Sequence, residues 1–284
     1  MKKIAIAGAS GYLGKYTVKE LLNRNIPTLA IVRNPKKLQD LSGAASLQVI
    51  QAEVTKPESL SGILKGIDVL ISTVGITRQQ DGLSYMDVDF QANLNLLQEA
   101  QRAGVKKFIY VSAIGGSKYR NLKIFEAKEG FVDELKRSGI EYSILRPNGF
   151  FSDMEDFLKM AKKGKIFLFG DGYQKLNPIH GADLAEVVVD AIDSPKKEIV
   201  VGGPELLSQN EIAAIALKLH QKPVKITHLP NWLRRATIGF MRTFTSPKVY
   251  GPIEFFLTLM AENQIAPQYG RHRLQDFFKE RMSH

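Results

Sequence analysis

The chain of 284 residues has no cysteine, a single tryptophan and no apolar run long enough to cross a membrane. Without cysteine it can form no disulfide, thiolate metal site, iron–sulfur cluster or cysteine nucleophile. Its short apolar start runs directly into a glycine-rich turn, so we expect neither a signal peptide nor a transmembrane helix. Because nothing in the composition points to an oxidising compartment, we expect a cytoplasmic protein.

Acidic residues are the scarcer charge, with 29 Asp+Glu against 39 Lys+Arg and a formal net charge of +10. The basic excess is scattered, and no more than two basic residues are adjacent. A nucleic-acid-binding chain usually concentrates its positive charge in a stripe or an arm. We therefore expect no nucleic-acid partner, and the charge indicates either a solvated surface or attraction to an anionic ligand or surface.

Strand and helix patterns alternate through the first half of the chain. An apolar strand at residues 3–8 precedes an amphipathic helix at 12–24. Further strands are predicted at 28–32, 47–52, 68–73, 107–112 and 141–145, and further helices at 87–103 and 125–138. This alternation predicts an α/β fold with a doubly wound, mostly parallel Rossmann sheet over residues 1–150. A smaller α/β C-terminal lobe over 151–284 is expected to pack on it as one continuous body.

Three glycines, Gly8, Gly11 and Gly14, lie between the first strand and the first helix. In this context the first glycine permits a tight turn, the second lets the backbone approach a pyrophosphate, and the third allows close helix–strand packing. The helix N-terminus adds free N–H groups and a favourable dipole. The pattern therefore predicts a dinucleotide-binding loop, with a purely structural turn as the alternative.

The second strand is followed by Arg33, Lys36 and Lys37 rather than by an acidic residue. NAD-binding proteins usually place Asp or Glu here to hold the ribose hydroxyls, whereas an arginine can pair with a 2′-phosphate. We therefore predict that NADP(H) is preferred over NAD(H), with Arg33 assisted by Lys36 or Lys37. The alternative is a solvated basic loop.

Several segments carry a resemblance to a known family. The glycine loop, Arg33, and residues 68–75 (DVLISTVG) and 108–113 (FIYVSA) resemble the atypical short-chain dehydrogenase/reductase superfamily. Segments 143–151, 169–172, 177–184 and 269–271 are similar to its branch that includes the divinyl-chlorophyllide 8-vinyl reductases. More distant similarity connects the chain with NmrA-type redox regulators and the isoflavone reductase group. The resemblance covers nearly the whole chain and implies a Rossmann fold with a nicotinamide cofactor.

The resemblance also implies further cofactor contacts, each with ordinary strand-end packing as its alternative. Ser10, Tyr12 and Leu13 would lie in the phosphate loop, and Glu53 and Val54 beside the adenine. Thr73, Val74 and Gly75 would lie beneath the adenine-side ribose and phosphate, and Ser112 would face the nicotinamide ribose. Pro147, Asn148 and Phe150 would border the nicotinamide.

The family's catalytic Tyr-x-x-x-Lys pair is only half present. Lys128 keeps the lysine position, but Ile124 stands at the tyrosine position, Ala113 at the serine position and Asp89 at that of the usual asparagine. Standard alcohol dehydrogenase or epimerase chemistry is therefore not expected. Lys128 is the candidate catalytic residue, and it either orients the nicotinamide ribose and protonates the substrate, or only positions the cofactor. A surface lysine without a role is the alternative.

Two other side chains are weaker candidates for an acid. His180 precedes the predicted helix at 182–193, and we interpret its segment as a structural turn in which Asp183 caps that helix. Tyr119 lies in the loop before the lysine helix. The five histidines are widely separated, so we predict no metal site.

The C-terminal stretch 232–242 is basic and partly amphipathic, and an apolar stretch at 250–260 follows. Three alternatives stay open for these stretches, namely a lid over a bulky apolar small-molecule substrate, a peripheral contact with a membrane surface, and packed helices of the small lobe. We expect a monomer or a homodimer. The favoured function is an NADP(H)-dependent reductase that acts on an unsaturated or carbonyl small molecule. The alternative is a non-catalytic NADP(H)-binding redox sensor or assembly factor.

Overall fold

The computed structural model describes residues 2–41, 43–76 and 82–283. The chain packs as two compact units, of which the first consists of Met1–Arg146 and Leu184–Ile199. The second consists of Pro147–Asp183 and Val200–His284. The first break therefore lies near the predicted boundary at residue 150, but the segment Leu184–Ile199 returns to the first unit.

The bounds of the elements follow the hydrophobic pattern closely. The strands of the described residues are β1 (Ile4–Ala7), β2 (Thr28–Val32), β3 (Leu47–Gln51), β4 (Val69–Ser72), β5 (Lys107–Val111), β6 (Glu141–Pro147), β7 (Ile166–Phe169), β8 (Lys175–Leu176), β9 (Glu198–Val201), β10 (Leu207–Ser208) and β11 (Ile226–Leu229). The α-helices are α1 (Tyr12–Asn23), α2 (Ala92–Ala103), α3 (Lys123–Arg137), α4 (Glu155–Lys162), α5 (Gly181–Asp190), α6 (Gln209–Leu219), α7 (Asn231–Phe244), α8 (Pro247–Leu259) and α9 (Leu274–Met282).

A seven-stranded sheet has the strand order β3-β2-β1-β4-β5-β6-β9. All neighbouring pairs from β3 to β6 are parallel. This arrangement confirms the predicted doubly wound, mostly parallel α/β sheet. Because the strands are parallel, the loops that follow β1, β2, β4 and β5 leave the sheet at one edge, where such folds bind ligands.

The core of the first unit covers the sheet with apolar side chains. Ala5 and Ala7 of β1 are fully buried in a cluster with α2 and α3 residues such as Leu96 and Phe131. Side chains alternate between the faces of a strand, and Ile4 and Ile6 are also fully buried. Both faces of β1 are therefore covered, which explains its continuous apolar sequence.

The helix predicted at 87–103 begins with a π-helical turn, Met86–Gln91, before α2. Asn93 is buried and donates side-chain hydrogen bonds to the backbone oxygens of Val88 (3.2 Å) and Asp89 (3.0 Å). Single π turns inside helices are frequent at functional sites. Here the turn carries Asp89, which is fully buried. The helix ends at Gly104, whose φ of 71° is left-handed, a conformation that glycine adopts readily.

The second unit contains two small sheets and several helices. Strand β7 pairs in parallel with β11, and β8 pairs antiparallel with β10. Helix α6 begins with a capping box, in which the Ser208 hydroxyl accepts from the Glu211 N–H and the Glu211 carboxylate accepts from the Ser208 N–H. The helices of the described residues include none that is both long and apolar enough to span a membrane.

The predicted capping role of Asp183 is wrong. Its buried carboxylate accepts the backbone N–H groups of Arg271 and His272, both at 3.1 Å, and Oδ1 lies 2.7 Å from the His272 ring nitrogen. The residue that caps α5 is His180, whose Nδ1 accepts the N–H of Ala182 at 3.2 Å. Asp183 instead fastens a distant segment of the same unit, which the local sequence could not reveal.

Candidate functional site

The glycine loop between β1 and α1 is too tight for side chains at two positions. Gly8 has a φ of 79°, and a Cβ there would lie 2.7 Å from Oγ1 of Thr73. A Cβ at Gly14 would collide with the Gly8 carbonyl oxygen. The loop is closed by a hydrogen bond from Gly11 N–H to that same oxygen, at 2.9 Å. These contacts give Gly8 and Gly14 the structural roles predicted for them.

The N-terminus of α1 offers a favourable place for an anion. Gly11 is its N-cap, and no side chain in the described residues caps it there. Its first turn contains no acidic residue, so no side chain of that turn offsets the positive end of the helix dipole. In this loop Ser10 and Tyr12 are half-buried, Gly11 is exposed and Leu13 is buried. The loop therefore fits the pyrophosphate of a dinucleotide.

The basic side chain of Arg33 after β2 and the acidic side chain of Glu53 after β3 are close enough to attract each other. Arg33 is exposed at the end of β2, and Lys37 is exposed in the following 3-10 turn. Glu53 accepts from Lys56 at 2.7 Å, and this bond and a smaller attraction to Arg33 hold the pKa of Glu53 below its usual range. The neighbouring Val54 is half-buried, and its carbonyl accepts from the Asn95 side chain at 3.0 Å.

The loop after β4 joins the glycine loop to a buried ion pair. Thr73 donates its hydroxyl to the Ala7 carbonyl at 3.1 Å, and Val74 is buried. Gly75 is exposed, yet a Cβ on it would lie 2.7 Å from Oδ1 of Asp89 and 2.8 Å from Nζ of Lys128. The absence of a side chain at Gly75 therefore leaves the lysine ammonium close to the surface of the loop.

Lys128 of α3 and Asp89 form that ion pair, with Nζ 2.8 Å from Oδ1. Asp89 Oδ2 also accepts the backbone N–H of Ile76 at 3.2 Å. Burial lowers the pKa of Lys128, but the attraction and hydrogen bond to Asp89, together with the interaction with Tyr110, leave that pKa above its ordinary value. The lysine is therefore held charged, at the edge of the sheet where the glycine loop lies.

The family's catalytic tetrad consists of a tyrosine, a lysine, a serine and an asparagine. In this chain the tyrosine and serine positions carry neither an acid nor a hydroxyl group. Ile124, one helical turn before Lys128, is 4% exposed. Tyr110 of β5 has its ring centre 5.7 Å from the Lys128 ammonium, but it is fully buried and packs edge-on against Phe131. Burial raises the pKa of Tyr110. Tyr110 is therefore a neutral support behind the lysine and not a substitute for the missing tyrosine.

Ser112, at the end of β5, is tied to a buried ionic network. Its hydroxyl donates to Glu129 Oε1 at 3.1 Å. Glu129 accepts two hydrogen bonds from Arg146, at 2.6 and 3.0 Å, and Arg146 also donates to Glu198 at 3.0 Å. Burial opposes the charge of Arg146, but these carboxylates raise its pKa above the ordinary value. The network fixes the ends of β5 and β6 and orients the Ser112 hydroxyl.

The residues predicted beside the nicotinamide, Pro147, Asn148 and Phe150, belong to the second unit. The Asn148 amide is already engaged, since Nδ2 donates to Asn177 Oδ1 at 2.7 Å and to the Gln264 carbonyl at 2.6 Å. Pro147 is buried and Phe150 is half-buried. The cofactor role of these three residues stays a prediction.

Two secondary candidates are placed in apolar surroundings. Tyr119 is buried, and its ring stacks on Phe125 with centroids 6.4 Å apart. His180 is buried and lies 4.2 Å from the His272 ring in a stacked arrangement. Burial, with a contribution from His272, lowers the pKa of His180 to about 4. A neutral, buried imidazole of this kind supports a packing and capping role.

A separate cavity of about 240 Å³ lies within the second unit. Most of its lining is apolar and comes from α4, β7 and α8, including Phe157, Phe167 and Phe256, and Arg234 of α7 contributes a guanidinium. Such a lining suits an apolar molecule with one polar group.

Sequence reasoning missed Glu129 and Arg146 and did not pair Asp89 with Lys128. A usable signal existed for Arg146, because a charged residue inside the apolar strand β6 requires a buried counter-ion. Asp89 was visible only as a departure from the usual asparagine. Its pairing depends on the π turn, which has no clear sequence signature.

Comparisons with known proteins show the family of the chain. A family model described as NAD(P)H-binding matches residues 8–195. The divinyl chlorophyllide a 8-vinyl-reductase of Arabidopsis thaliana is 28% identical, over 97% of this chain and 75% of that protein. The photosystem II assembly factor Ycf39 of Synechocystis is 24% identical, over 86% of this chain and 74% of that protein.

A solved structure extends the likeness in fold. The NADPH-dependent quinone oxidoreductase of Escherichia coli, crystallised with NADPH, superposes with a TM-score of 0.71 at 21% identity. The superposition covers 98% of this chain and 99% of that one. At this level of identity the likeness concerns the fold, and it includes the region beyond the family match.

Proposed function

Because this chain belongs to the NAD(P)H-binding family, we propose that it is an NADP(H)-dependent reductase of an unsaturated or carbonyl small molecule. The observation that carries the proposal is the Lys128–Asp89 pair, which holds an ammonium beside Gly75 in the same unit as the glycine loop. When bound, NADPH supplies a hydride.

The chain's own residues would divide the binding of the cofactor among them. The α1 N-terminus, with Gly8, Gly11 and Gly14, would hold the pyrophosphate through backbone N–H groups. Arg33 would pair with the 2′-phosphate, and this contact would make the protein prefer NADP(H) over NAD(H). Lys37 is exposed nearby in sequence and would add long-range attraction.

Lys128 has two proposed roles, and its surroundings support one better. A general acid works best with a pKa near the operating pH. The pKa of Lys128 is raised instead, which makes its ammonium a weak acid and a persistent hydrogen-bond donor. Orienting the nicotinamide ribose is therefore the role that we favour, and protonation of the substrate is secondary.

The second candidate function is a non-catalytic NADP(H)-binding redox sensor or assembly factor. Buried Ile124 at the tyrosine position supports it, because the main acid of the standard reaction is missing. The likeness to an assembly factor points the same way. A cytoplasmic location, and a monomeric or dimeric state, remain predictions under either function.

Substrate-dependent consumption of NADPH distinguishes the two functions. Purified protein should be incubated anaerobically with NADPH and, separately, a quinone, an azo dye and divinyl chlorophyllide a. The reductase predicts protein-dependent consumption with at least one acceptor, reduced in Lys128→Met. Tight NADPH binding without consumption for any acceptor would favour the second function.

A further inference from the structure

The second unit has a strongly basic segment that runs from within α6 to the middle of α8. From residue 212 to residue 253 the chain has seven Lys and Arg residues and no Asp or Glu. This segment includes all of α7 and the first half of α8. Of the seven cations, only Arg234 is partly buried, and the others are exposed. The segment therefore has a net positive charge, which favours a negatively charged partner.

Helix α7 also exposes a row of apolar side chains to solvent. Trp232, Ala236, Phe240 and Phe244 recur every four residues, so they lie along one face of the helix, which we call the aromatic stripe. Its three aromatic residues are 67%, 61% and 69% exposed. The Phe240 and Phe244 rings pack against each other with their centroids 4.7 Å apart. An exposed apolar patch of this kind marks an interaction surface.

The opposite side of α7 is already used in packing against α8. Arg242 forms an ion pair with the buried Glu254, and Arg234 donates to the Leu257 carbonyl at 3.3 Å. On α8, Val249 and Ile253 are 50% and 37% exposed. The aromatic stripe therefore does not serve the packing of the two helices, and α8 adds further exposed apolar side chains.

We propose that α7 docks the protein onto an anionic lipid surface, with the aromatic stripe inserted at the headgroup level. Arg235 lies three residues after Trp232, at the edge of the stripe, and is exposed. Amphipathic helices of this composition bind membranes by burying aromatic residues while their cations meet acidic headgroups. Each cation near an anionic surface increases binding about fivefold. The proposal is independent of reductase activity.

Co-sedimentation of the full chain with vesicles tests the partner. Vesicles of phosphatidylcholine and phosphatidylserine in equal parts should carry the protein into the pellet, and added salt should weaken binding because it screens exposed charges. Vesicles of phosphatidylcholine alone should retain much less. Equal binding to both compositions, or no binding to either, would overturn the proposal.

The single tryptophan makes insertion directly visible. Trp232 is the only tryptophan of the chain, so all tryptophan fluorescence reports on the aromatic stripe. On addition of the anionic vesicles its emission should shift to shorter wavelength, and lipids with brominated acyl chains should quench it. Unchanged emission in the presence of bound vesicles would place the contact elsewhere and contradict the proposal.

Matched variants distinguish insertion of the aromatic stripe from nonspecific adsorption to lipid. The double variant Phe240→Ser/Phe244→Ser and the charge reversal Arg235→Glu should each lower the partition coefficient by about fivefold or more. Tyr173→Ser and Lys65→Glu change equally exposed residues outside α7 and should leave it unchanged. If the controls lower binding as much as the α7 variants, the stripe has no special role.

A second copy of the chain is the competing occupant of this surface. Light scattering of wild type and of Phe240→Ser/Phe244→Ser, without lipid, should give the same mass. A dimer that the double variant dissociates would assign the stripe to self-association and overturn lipid docking.

Discussion

Lys128 Nζ lies 2.8 Å from Oδ1 of the fully buried Asp89, and Gly75 is the residue whose missing side chain leaves room above both atoms. The pair sits where the usual catalytic tetrad would have lysine and asparagine. Replacing asparagine by aspartate changes the electrostatics of the lysine, because a full negative charge now faces the ammonium.

Asp89→Asn removes that charge and leaves a buried lysine unpaired. We expect a loss of about 3–5 kcal/mol in the free energy of unfolding at neutral pH. In the variant the folded-state pKa of Lys128 falls below its unfolded value, so the loss should shrink as pH rises towards 10. Chemical denaturation at several pH values measures this. A pH-independent loss would mean that the lysine charge is not involved.

A second change provides the control for that experiment. In Asp89→Asn/Lys128→Met neither charge of the pair remains, and much of the lost stability should return. If the double variant is no more stable than Asp89→Asn, the pair does not account for the destabilisation.

Arg33→Gln tests the choice of cofactor. Loss of a charge-assisted contact to the 2′-phosphate should weaken NADPH binding roughly ten- to hundredfold and leave NADH binding unchanged. Calorimetry with both cofactors measures the two dissociation constants. Lys19→Gln, an exposed basic position on α1, is the control. Parallel weakening of NADPH and NADH would show that Arg33 does not read the 2′-phosphate.

Gly14→Ala tests the glycine loop. The new Cβ would collide with the Gly8 carbonyl oxygen, and we expect a cost of about 1–3 kcal/mol in stability together with loss of NADPH binding. Gly43→Ala adds the same atom where none of the described residues lies within 4 Å. Thermal unfolding with and without NADPH compares them. NADPH binding by Gly14→Ala at wild-type affinity would contradict the assignment of the loop.

Because His180 is buried, we expect the free energy of unfolding to depend on pH. Its folded-state pKa of about 4 lies below the ordinary value of 6.5, because burial and His272 disfavour the charged ring. The contribution of the neutral His180 ring to the free energy of unfolding is complete above pH 6.5. It is lost as pH falls towards 4, by up to about 3 kcal/mol. His180→Gln should remove this contribution, whereas His228→Gln, at an exposed histidine, should not. Identical pH profiles for the two variants would contradict it.

The sequence predicted the local features of the fold well. Strand β2 occupies the predicted residues, because a run of apolar and β-branched residues is bounded by Pro27 and by Asn34-Pro35. The glycine loop was equally legible, since its spacing has a direct steric cause. In both cases the determining residues are neighbours in sequence.

The features that sequence reasoning missed depend on residues distant along the chain. Asp183 was predicted to cap its own helix but binds the backbone at residues 271–272. The hydrogen bonds that the Asn148 amide donates to Asn177 and Gln264 were not foreseen, and its place beside a nicotinamide stays a prediction. The Asp89–Lys128 pair required the position of a π turn. Such contacts are fixed by packing, and no local pattern encodes them.

Transfer of deuterium from NADPH labelled at the transferable C4 position to the isolated product shows directly whether the protein catalyses hydride transfer. We expect label in the product of at least one acceptor, formed only with the protein present and more slowly with Lys128→Met. Tight NADPH binding with no label in any product would contradict a reductase and leave the non-catalytic function.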